Sequence, residues 1–236
     1  MPSRGYRPAP SVPVHLRPSA PTAPDALLCG DPARALAIAQ RVLVKPRMSN
    51  HHRGLWGYHG ETVSGRELTV QATGIGGPSA AIVVGELVSL GLRRAIRVGS
   101  CTAAAAAPPA GARLVVTAAI AEDGTSNALG IGHGAELRPD RRLTEALLTT
   151  PGLTAATVRS RDIPPRSEAG RLDEPGPGPV DDLQTAGLLA SCARLGVAAG
   201  ALLAVAGSAG RRLEDEPLEA AHLELGEVAA EVLATV

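Results

Sequence analysis

The apolar positions of this chain fall into two kinds of stretch: short continuous runs, and longer stretches with helical spacing. Short runs are typical of buried strands, whereas apolar residues three and four positions apart are typical of helices packed on a core. The runs predict strands at residues 26–29, 56–58, 67–72, 96–100, 113–121, 155–158 and 198–206. The helical spacing predicts helices at residues 33–42, 78–90, 141–149, 182–195 and 217–236. Stretches rich in Gly, Pro or Ala predict loops at 103–112, 123–134 and 164–179.

This alternation of strands and helices predicts the fold class. We expect a three-layer α/β/α sandwich, in which helices flank a central mixed sheet. Residues 1–24 are rich in Pro, Arg and Ser, so an irregular N-terminal arm is expected there. Residues 25–236 are expected to form one domain, because this length suits a single α/β unit.

Composition narrows the classes of function. The chain has 23 basic and 23 acidic residues and no net charge, so neither nucleic acid nor a membrane is an expected partner. Its three cysteines are widely spaced and match no zinc or disulfide framework, so we expect no metal site and a cytoplasmic location. Phe is absent, and Trp56, Tyr6 and Tyr58 are the only aromatic residues. A pocket for a base would therefore offer few aromatic faces for stacking.

A glycine-rich turn stands before the second predicted helix. Gly74, Gly76 and Gly77 carry no Cβ, so the backbone there can approach a ligand closely. The strand that follows this helix carries Arg97 and Ser100 towards its carboxyl end, the edge at which open α/β sheets bind ligands. An arginine beside free backbone amides predicts an anion site.

The segment Gly30-Asp31-Pro32-Ala33-Arg34 is a second candidate for anion binding. It joins the first predicted strand to the first predicted helix. A helix start exposes backbone N–H groups to an oxyanion, and Arg34 in the first turn can reach the same anion. An ordinary strand–turn–helix connection with a surface arginine is the alternative interpretation.

Both segments, taken together, resemble the nucleoside phosphorylase family, which includes uridine phosphorylase and bacterial purine nucleoside phosphorylase. The resemblance is strongest between residues 27 and 101, and rests on the Gly30–Arg34 segment and on Arg97-Val98-Gly99-Ser100. It implies inorganic phosphate as a co-substrate and no cofactor. The phosphate-binding residues that it implies are Gly30, Arg34, Arg53, Arg97 and Ser100, of which Arg97 and Ser100 are also the implied catalytic residues.

The resemblance also implies an oligomer, as a homodimer or a homohexamer. Arg53 matches an arginine that crosses a dimer interface to the neighbour's phosphate. His15 lies close to the position of a family histidine that reaches a neighbour's ribose 5′-hydroxyl. Ile75, Leu183 and Gln184 match positions that contact ribose or base. The expected partners are therefore a small-molecule nucleoside, phosphate and further copies of the chain.

Several positions depart from the family pattern. Gln184 stands where the family has a Glu that holds the ribose hydroxyls, and it lacks the charge of that Glu. Gly207 stands where purine-cleaving members carry an Asp that protonates the base. Residues 160–166 align with the specificity loop of pyrimidine-cleaving members, with Pro164 in place of a Phe. The segment Asp123-Gly124-Thr125-Ser126 is closer to uridine phosphorylase.

Three functions remain open on these residues. The first is a nucleoside phosphorylase-like pentosyltransferase, with uridine-type substrates favoured over purine nucleosides. The second is a catalytically inactive family member that acts as a binding or scaffold protein. The third is a hydrolase of the related nucleosidase branch, against which the retained arginines argue. The base, the number of subunits and the role of the 164–179 loop are left open.

Overall fold

The structure is a computed structural model that describes residues 12–103, 108–164, 180–208 and 211–236. Strands in these ranges are β1 (Asp25–Cys29), β2 (Val44–Asn50), β3 (Gly57–Glu61), β4 (Glu67–Ala72), β5 (Arg94–Ala103), β6 (Arg113–Glu122), β7 (Glu136–Leu137), β8 (Thr154–Arg161), β9 (Val180–Asp182), β10 (Ala198–Ser208) and β11 (Arg211–Arg212). Helices there are α1 (Pro32–Val42), α2 (Gly76–Ser89), α3 (Gly124–Ala128), α4 (Arg141–Leu148), α5 (Thr185–Leu195) and α6 (Asp215–Thr235), with a 3-10 turn at His52–Gly54. Most of the predicted 164–179 loop and part of 103–112 lie outside the described residues.

The strands form one mixed sheet in which β5 is the central strand. It pairs in parallel with β1 on one side and with β10 on the other. β4, β3 and β2 extend the sheet beyond β1. On the other side the sheet curls round, because β10 pairs with β6, β6 with β8, β8 with β9, and β9 returns to β5. The predicted mixed sheet is confirmed, and part of it closes on itself.

Helices cover both faces of the sheet and create two hydrophobic cores. α2, α3 and α5 pack together on one face, and α1, α4 and α6 lie on the other. Both cores consist mainly of Ala, Val, Leu and Ile, as the near absence of aromatic residues requires. Small residues allow close approach between helices: a Cβ on Gly226 of α6 would lie only 2.8 Å from Cγ2 of Ile38 of α1. The three-layer α/β/α architecture is therefore the one predicted.

The structure corrects the sequence prediction in two places that bear on function. Residues 123–134, predicted to be a loop, include the short helix α3, because the Asp123 carboxylate accepts a hydrogen bond from the backbone N–H of Ser126 and caps the helix. The helix predicted at 182–195 begins only at Thr185. Val180–Asp182 instead form β9, which pairs with β8 and β5.

Residues 12–24 contain no helix or strand, yet part of this segment is fixed to the domain. Leu16 and Ala23 are buried, and the Glu86 carboxylate of α2 accepts hydrogen bonds from the backbone N–H groups of Val14, His15 and Leu16. These bonds lower the pKa of Glu86 although burial opposes the shift. Across the described ranges, no helix has both the length and the apolar character needed to span a bilayer.

Candidate anion site at the middle of β5

The candidate site lies where β5 changes partners. Residues of β5 up to Val98 pair with β1, whose last paired residue is Cys29. Further along, Thr102 pairs with Asp181 of the antiparallel β9. The gap between these two pairings brings together the turn after β1, the middle of β5 and the turn after β9.

Arg97 occupies this gap and is almost completely buried, with 5% of its surface exposed. Its three guanidinium nitrogens donate to three different residues: Nε to Thr185 Oγ1 at 3.0 Å, Nη1 to Gln184 Oε1 at 2.6 Å, and Nη2 to Asp182 Oδ2 at 2.9 Å. An arginine has five N–H donors, so one N–H on each terminal nitrogen remains for a ligand. Arg97 is therefore fixed in position and keeps two N–H groups without a partner among the described residues.

Asp182 is the residue that fixes Arg97. Its side chain is fully buried and accepts hydrogen bonds from the hydroxyls of Ser160 and Thr185, each at 2.5 Å, in addition to the Arg97 bond. It also accepts from the backbone N–H groups of Gln184 and Thr185, where α5 begins. A buried ion pair needs such additional bonds to offset the cost of desolvation. Sequence analysis missed Asp182, whose only local signal is an Asp just ahead of a helix.

Gln184 connects Arg97 to the glycine turn ahead of α2. Its Oε1 accepts from Arg97, and its Nε2 donates to the carbonyls of Gly74 at 2.8 Å and Gly76 at 3.0 Å. The Thr73 hydroxyl lies 3.2 Å from the same Oε1. With 3% of its surface exposed, Gln184 has its whole amide engaged, so a ribose contact there would require one of these bonds to be exchanged.

The glycine turn has the conformation that its sequence requires. Gly74 and Gly76 have φ values of 73° and 82°, which favour glycine over any residue with a Cβ. Ile75, between them, is 83% exposed and begins α2 without a side-chain cap. Its side chain is therefore free at the mouth of the site. Leu183, the other apolar residue predicted there, is half-buried between β9 and α5.

The turn after β1 contributes Gly30 and Arg34. A Cβ on Gly30 would lie 3.5 Å from the Gly74 carbonyl oxygen and 3.9 Å from Gln184 Oε1, so this turn borders the glycine turn. Asp31 caps α1 by accepting from the N–H of Arg34 at 2.8 Å. The half-buried guanidinium of Arg34 makes no hydrogen bond or ion pair with any described residue, and burial together with the charge of Arg97 lowers its pKa. An arginine without a hydrogen-bonded partner favours an anion here.

His222 of α6 also belongs to this region, although nothing in the sequence analysis pointed to it. It is 3% exposed, and its Nε2 has no hydrogen-bond partner among the described residues. Burial lowers its pKa to about 3, with smaller contributions from the charges of Arg34 and Arg97, while a hydrogen bond to the Gly99 backbone opposes the shift. The imidazole is therefore neutral in the folded protein near neutral pH. Its only signal in the sequence is a histidine on an apolar helix face.

The remaining predicted phosphate residues lie in different surroundings. Ser100 is half-buried on β5, opposite Ala204 of β10, and its hydroxyl makes no hydrogen bond to the described residues. Arg53 is exposed in the 3-10 turn, has φ 58°, and has no ion pair within the described ranges. Its turn is held by the Asn50 and Gln71 side-chain amides, which both donate to the Leu55 carbonyl. Arg53 thus projects from a fixed turn into solvent.

His15 is not part of the site within its own chain. Its Nδ1 lies 2.7 Å from Oε1 of Glu86. Glu86 is ten residues along α2 from the glycine turn, which corresponds to about 15 Å of helix. His15 could therefore contact a ligand of this site only if the ligand were bound in another copy of the chain.

In the region expected to contact a base, the charged side chains of Arg161 and Asp162 are held by other residues of the fold. Arg161 pairs with Glu122 at 3.1 Å, and Asp162 accepts from the Gly124 N–H at 2.8 Å. Gly207 pairs with Arg212 of β11 and has no acidic side chain to protonate a base. The rest of this loop, with Arg166 and Arg171, lies outside the described residues.

Comparison with known proteins gives a consistent result. The model of the phosphorylase superfamily matches residues 24–172, which is more than half of the chain. The DeoD-type purine nucleoside phosphorylase of Oceanobacillus iheyensis is 47% identical over 78 residues, or 33% of each chain, and that of Clostridium beijerinckii is 42% identical over 90 residues. The aligned region thus spans about a third of the length of these curated relatives.

Solved structures extend the likeness to nearly the whole fold. Uridine phosphorylase from Vibrio fischeri ES114 superimposes with a TM-score of 0.77 at 21% sequence identity, covering 91% of this chain and 93% of that one. A second structure of the same enzyme, with 6-hydroxy-1-naphthoic acid, gives a TM-score of 0.75 at 22% identity. At this identity the likeness establishes the fold. Together with the family match and the arginine-lined gap at β5, it shows that the chain belongs to the phosphorylase superfamily.

Proposed function

We propose that this protein is a nucleoside phosphorylase, a pentosyltransferase that uses inorganic phosphate to cleave a nucleoside into free base and ribose 1-phosphate. The observation that carries the proposal is the pair of arginines formed by Arg34, in the first turn of α1 after β1, and Arg97, in the middle of β5. Arg97 keeps two N–H donors free, and Arg34 has no partner among the described residues. Two guanidinium groups in a partly desolvated gap suit a phosphate dianion.

The reaction assigned to this site is a displacement at the anomeric carbon. A phosphate oxygen forms the new bond to C1′ as the N-glycosidic bond breaks, and the bonding electron pair leaves with the base. The phosphate loses its proton to water and the base takes up one from water, so that ribose 1-phosphate and the neutral free base are formed. The transition state has positive charge on the sugar, which the bound dianion stabilises while it attacks. Arg97 and Ser100 hold and orient the phosphate for this step.

Charge balance supports a role for Arg53 from a second copy of the chain. Arg34 and Arg97 bring two positive charges, whereas the buried Asp182 and Asp31 beside Arg34 bring two negative ones, so a phosphate dianion needs further positive charge. Arg53, exposed on a fixed turn, can supply positive charge in trans. The assembly we propose is therefore a homodimer or a hexamer built from such dimers.

For the nucleoside itself, we propose that the ribose lies beside the glycine turn, near Ile75, Leu183 and Gln184. His15 would approach it from another copy. The missing acid at Gly207 and the Asp123–Ser126 segment favour a uridine-type base over a purine. A cytoplasmic location fits such a small-molecule enzyme.

The test is incubation of the purified protein with a panel of purine and pyrimidine nucleosides, with and without phosphate, followed by chromatography of the free base. We expect base release that depends on phosphate and is lost in Arg34→Met. The matched control is Arg41→Met on the same helix, because Arg41 forms only an exposed pair with Glu227 among the described residues. Release that is equal with and without phosphate would indicate a hydrolase and overturn the proposal.

A second candidate function is a binding protein that has kept the anion site without catalysis. It is favoured by Gln184, whose amide is fully engaged in the fold, and by Gly207 in place of an acid. Its signature would be phosphate-dependent thermal stabilisation that Arg34→Met abolishes, with no base released from any nucleoside of the panel.

A further inference from the structure

The Gln184 side chain links the Arg97 guanidinium to the glycine turn ahead of α2. The orientation of its amide is set by Arg97, because only the oxygen of that amide can face a guanidinium donor at 2.6 Å. Its nitrogen then faces the carbonyl oxygens of Gly74 and Gly76, and its two hydrogens are both used. The Thr73 hydroxyl closes the other side of the oxygen. The side chain therefore accepts on one side and donates on the other.

We propose, on the basis of the proposed function, that Gln184 is a positioning residue for phosphate rather than a ligand of the ribose. It holds the glycine turn in register with the Arg97 guanidinium, so that the start of α2 and the free N–H groups of Arg97 face the same anion. This role needs an amide. A carboxylate has no N–H to donate to the Gly74 and Gly76 carbonyls, and would place negative charge about 3 Å from both oxygens.

The charge of the buried cluster leads to the same requirement. Asp182 already pairs with Arg97 at 2.9 Å, and both side chains are buried. A second carboxylate at position 184 would cancel the remaining net positive charge of Arg34, Arg97 and Asp182. These three groups together with that carboxylate would then offer phosphate no net positive charge, and only Arg53 of another copy could supply it. Gln184→Glu introduces the residue that the family carries at this position. We nevertheless expect it to weaken phosphate binding in this protein.

The response to ribonucleosides and 2′-deoxyribonucleosides distinguishes a positioning role for Gln184 from direct contact with the ribose. With both N–H groups donating to glycine carbonyls and its oxygen buried beside Arg97, Gln184 has no donor left for a ribose 2′-hydroxyl. A change at this position should therefore affect ribonucleosides and 2′-deoxyribonucleosides alike, and the loss should appear in the use of phosphate.

The experiment compares wild type with Gln184→Glu, Gln184→Met and, as a control on α1, Gln40→Glu at an exposed position. Steady-state kinetics are measured with inosine, 2′-deoxyinosine, uridine and 2′-deoxyuridine at several phosphate concentrations. We expect the KM for phosphate to rise at least tenfold in both Gln184 variants. The ratio of kcat/KM between each ribonucleoside and its 2′-deoxy form should change less than twofold. A tenfold change in that ratio with an unchanged KM for phosphate would overturn the proposal in favour of direct ribose contact.

Hydrogen exchange of the free protein provides a readout that does not depend on activity. Peptides covering residues 73–79 should exchange faster in Gln184→Glu and Gln184→Met than in wild type and in Gln40→Glu. Unchanged exchange there would show that Gln184 does not hold the turn. If wild type neither releases base nor is stabilised by phosphate, the proposed phosphorylase function falls, whereas the exchange result still decides whether Gln184 positions the turn.

Discussion

His222 should make the stability of this protein sensitive to mild acid. Its pKa in the folded state is about 3, against 6.5 for an ordinary histidine. Between these two values the unfolded chain binds a proton that the folded chain does not, so the free energy of unfolding falls as the pH is lowered from 6.5 towards 3. One pKa unit corresponds to about 1.4 kcal/mol, so this residue alone should remove roughly 2 kcal/mol by pH 5.

The perturbation that tests this is His222→Phe, which keeps an aromatic ring and removes the titrating group. The substitution loses the hydrogen bond to the Gly99 backbone but also removes an unpartnered buried Nε2, so the two effects offset each other at neutral pH. Urea unfolding followed by circular dichroism at pH 7.5, 6.0 and 5.0 gives the free energy of unfolding of each protein. We expect the stability lost between pH 7.5 and 5.0 to be about 2 kcal/mol smaller in the variant.

Carboxylates such as Glu86 also titrate in acid, but they are present in both proteins and cancel in this comparison. His133→Phe, at an exposed loop position, is the control and should keep the pH dependence of wild type. Parallel stability curves for wild type and His222→Phe would refute the reasoning, since His222 would then bind its proton equally in the folded and unfolded states.

Three further predictions follow from close contacts. In Gly99→Ala the new Cβ would lie 2.6 Å from Cζ of Arg97, so the guanidinium must move. We expect the phosphate affinity measured by calorimetry to fall at least tenfold, which corresponds to the loss of one charge-assisted hydrogen bond. An affinity equal to that of wild type would contradict this. Glu86→Gln removes the charge that three backbone N–H groups share, so amide exchange in the N-terminal segment should rise, and an unchanged rate would show that the carboxylate does not hold it. Gly226→Ala overpacks against Ile38 and should lower the urea midpoint by an amount equivalent to about 1–3 kcal/mol, whereas a raised midpoint would mean that helix propensity dominates.

The sequence predicted those parts of the site that depend on local patterns. The glycines at 74 and 76 predicted a turn, and both have the positive φ values that glycine favours. The short apolar run at 96–100 predicted a strand, but it placed Arg97 too near the carboxyl end, because β5 continues to Ala103 through its pairing with β10. The long-range partners could not be predicted. Asp182 reaches Arg97 only because β9 pairs with β5, and that strand of three residues has no pattern of its own.

His222 shows the same limit on the other face of the sheet. A histidine among apolar residues of α6 is compatible with many surroundings, and its proximity to Gly99 depends on where α6 crosses β5. Arg53 and His15 are a different case. Their proposed roles need another copy of the chain, so neither the sequence pattern nor the fold of a single chain can test them.

The position of β10 has a consequence for synthesis of the chain. β5 and β6 follow one another in sequence, but β10 pairs with both of them, and over their described lengths they do not pair with each other. A chain released from the ribosome before residue 198 would leave the edge of β5 that carries Ile96 and Val98 without its neighbour, and such an edge recruits other chains. The family match at residues 24–172 therefore does not delimit a unit that can be expressed alone. Fragments ending there should aggregate, whereas the sheet becomes complete only when β10 has been added.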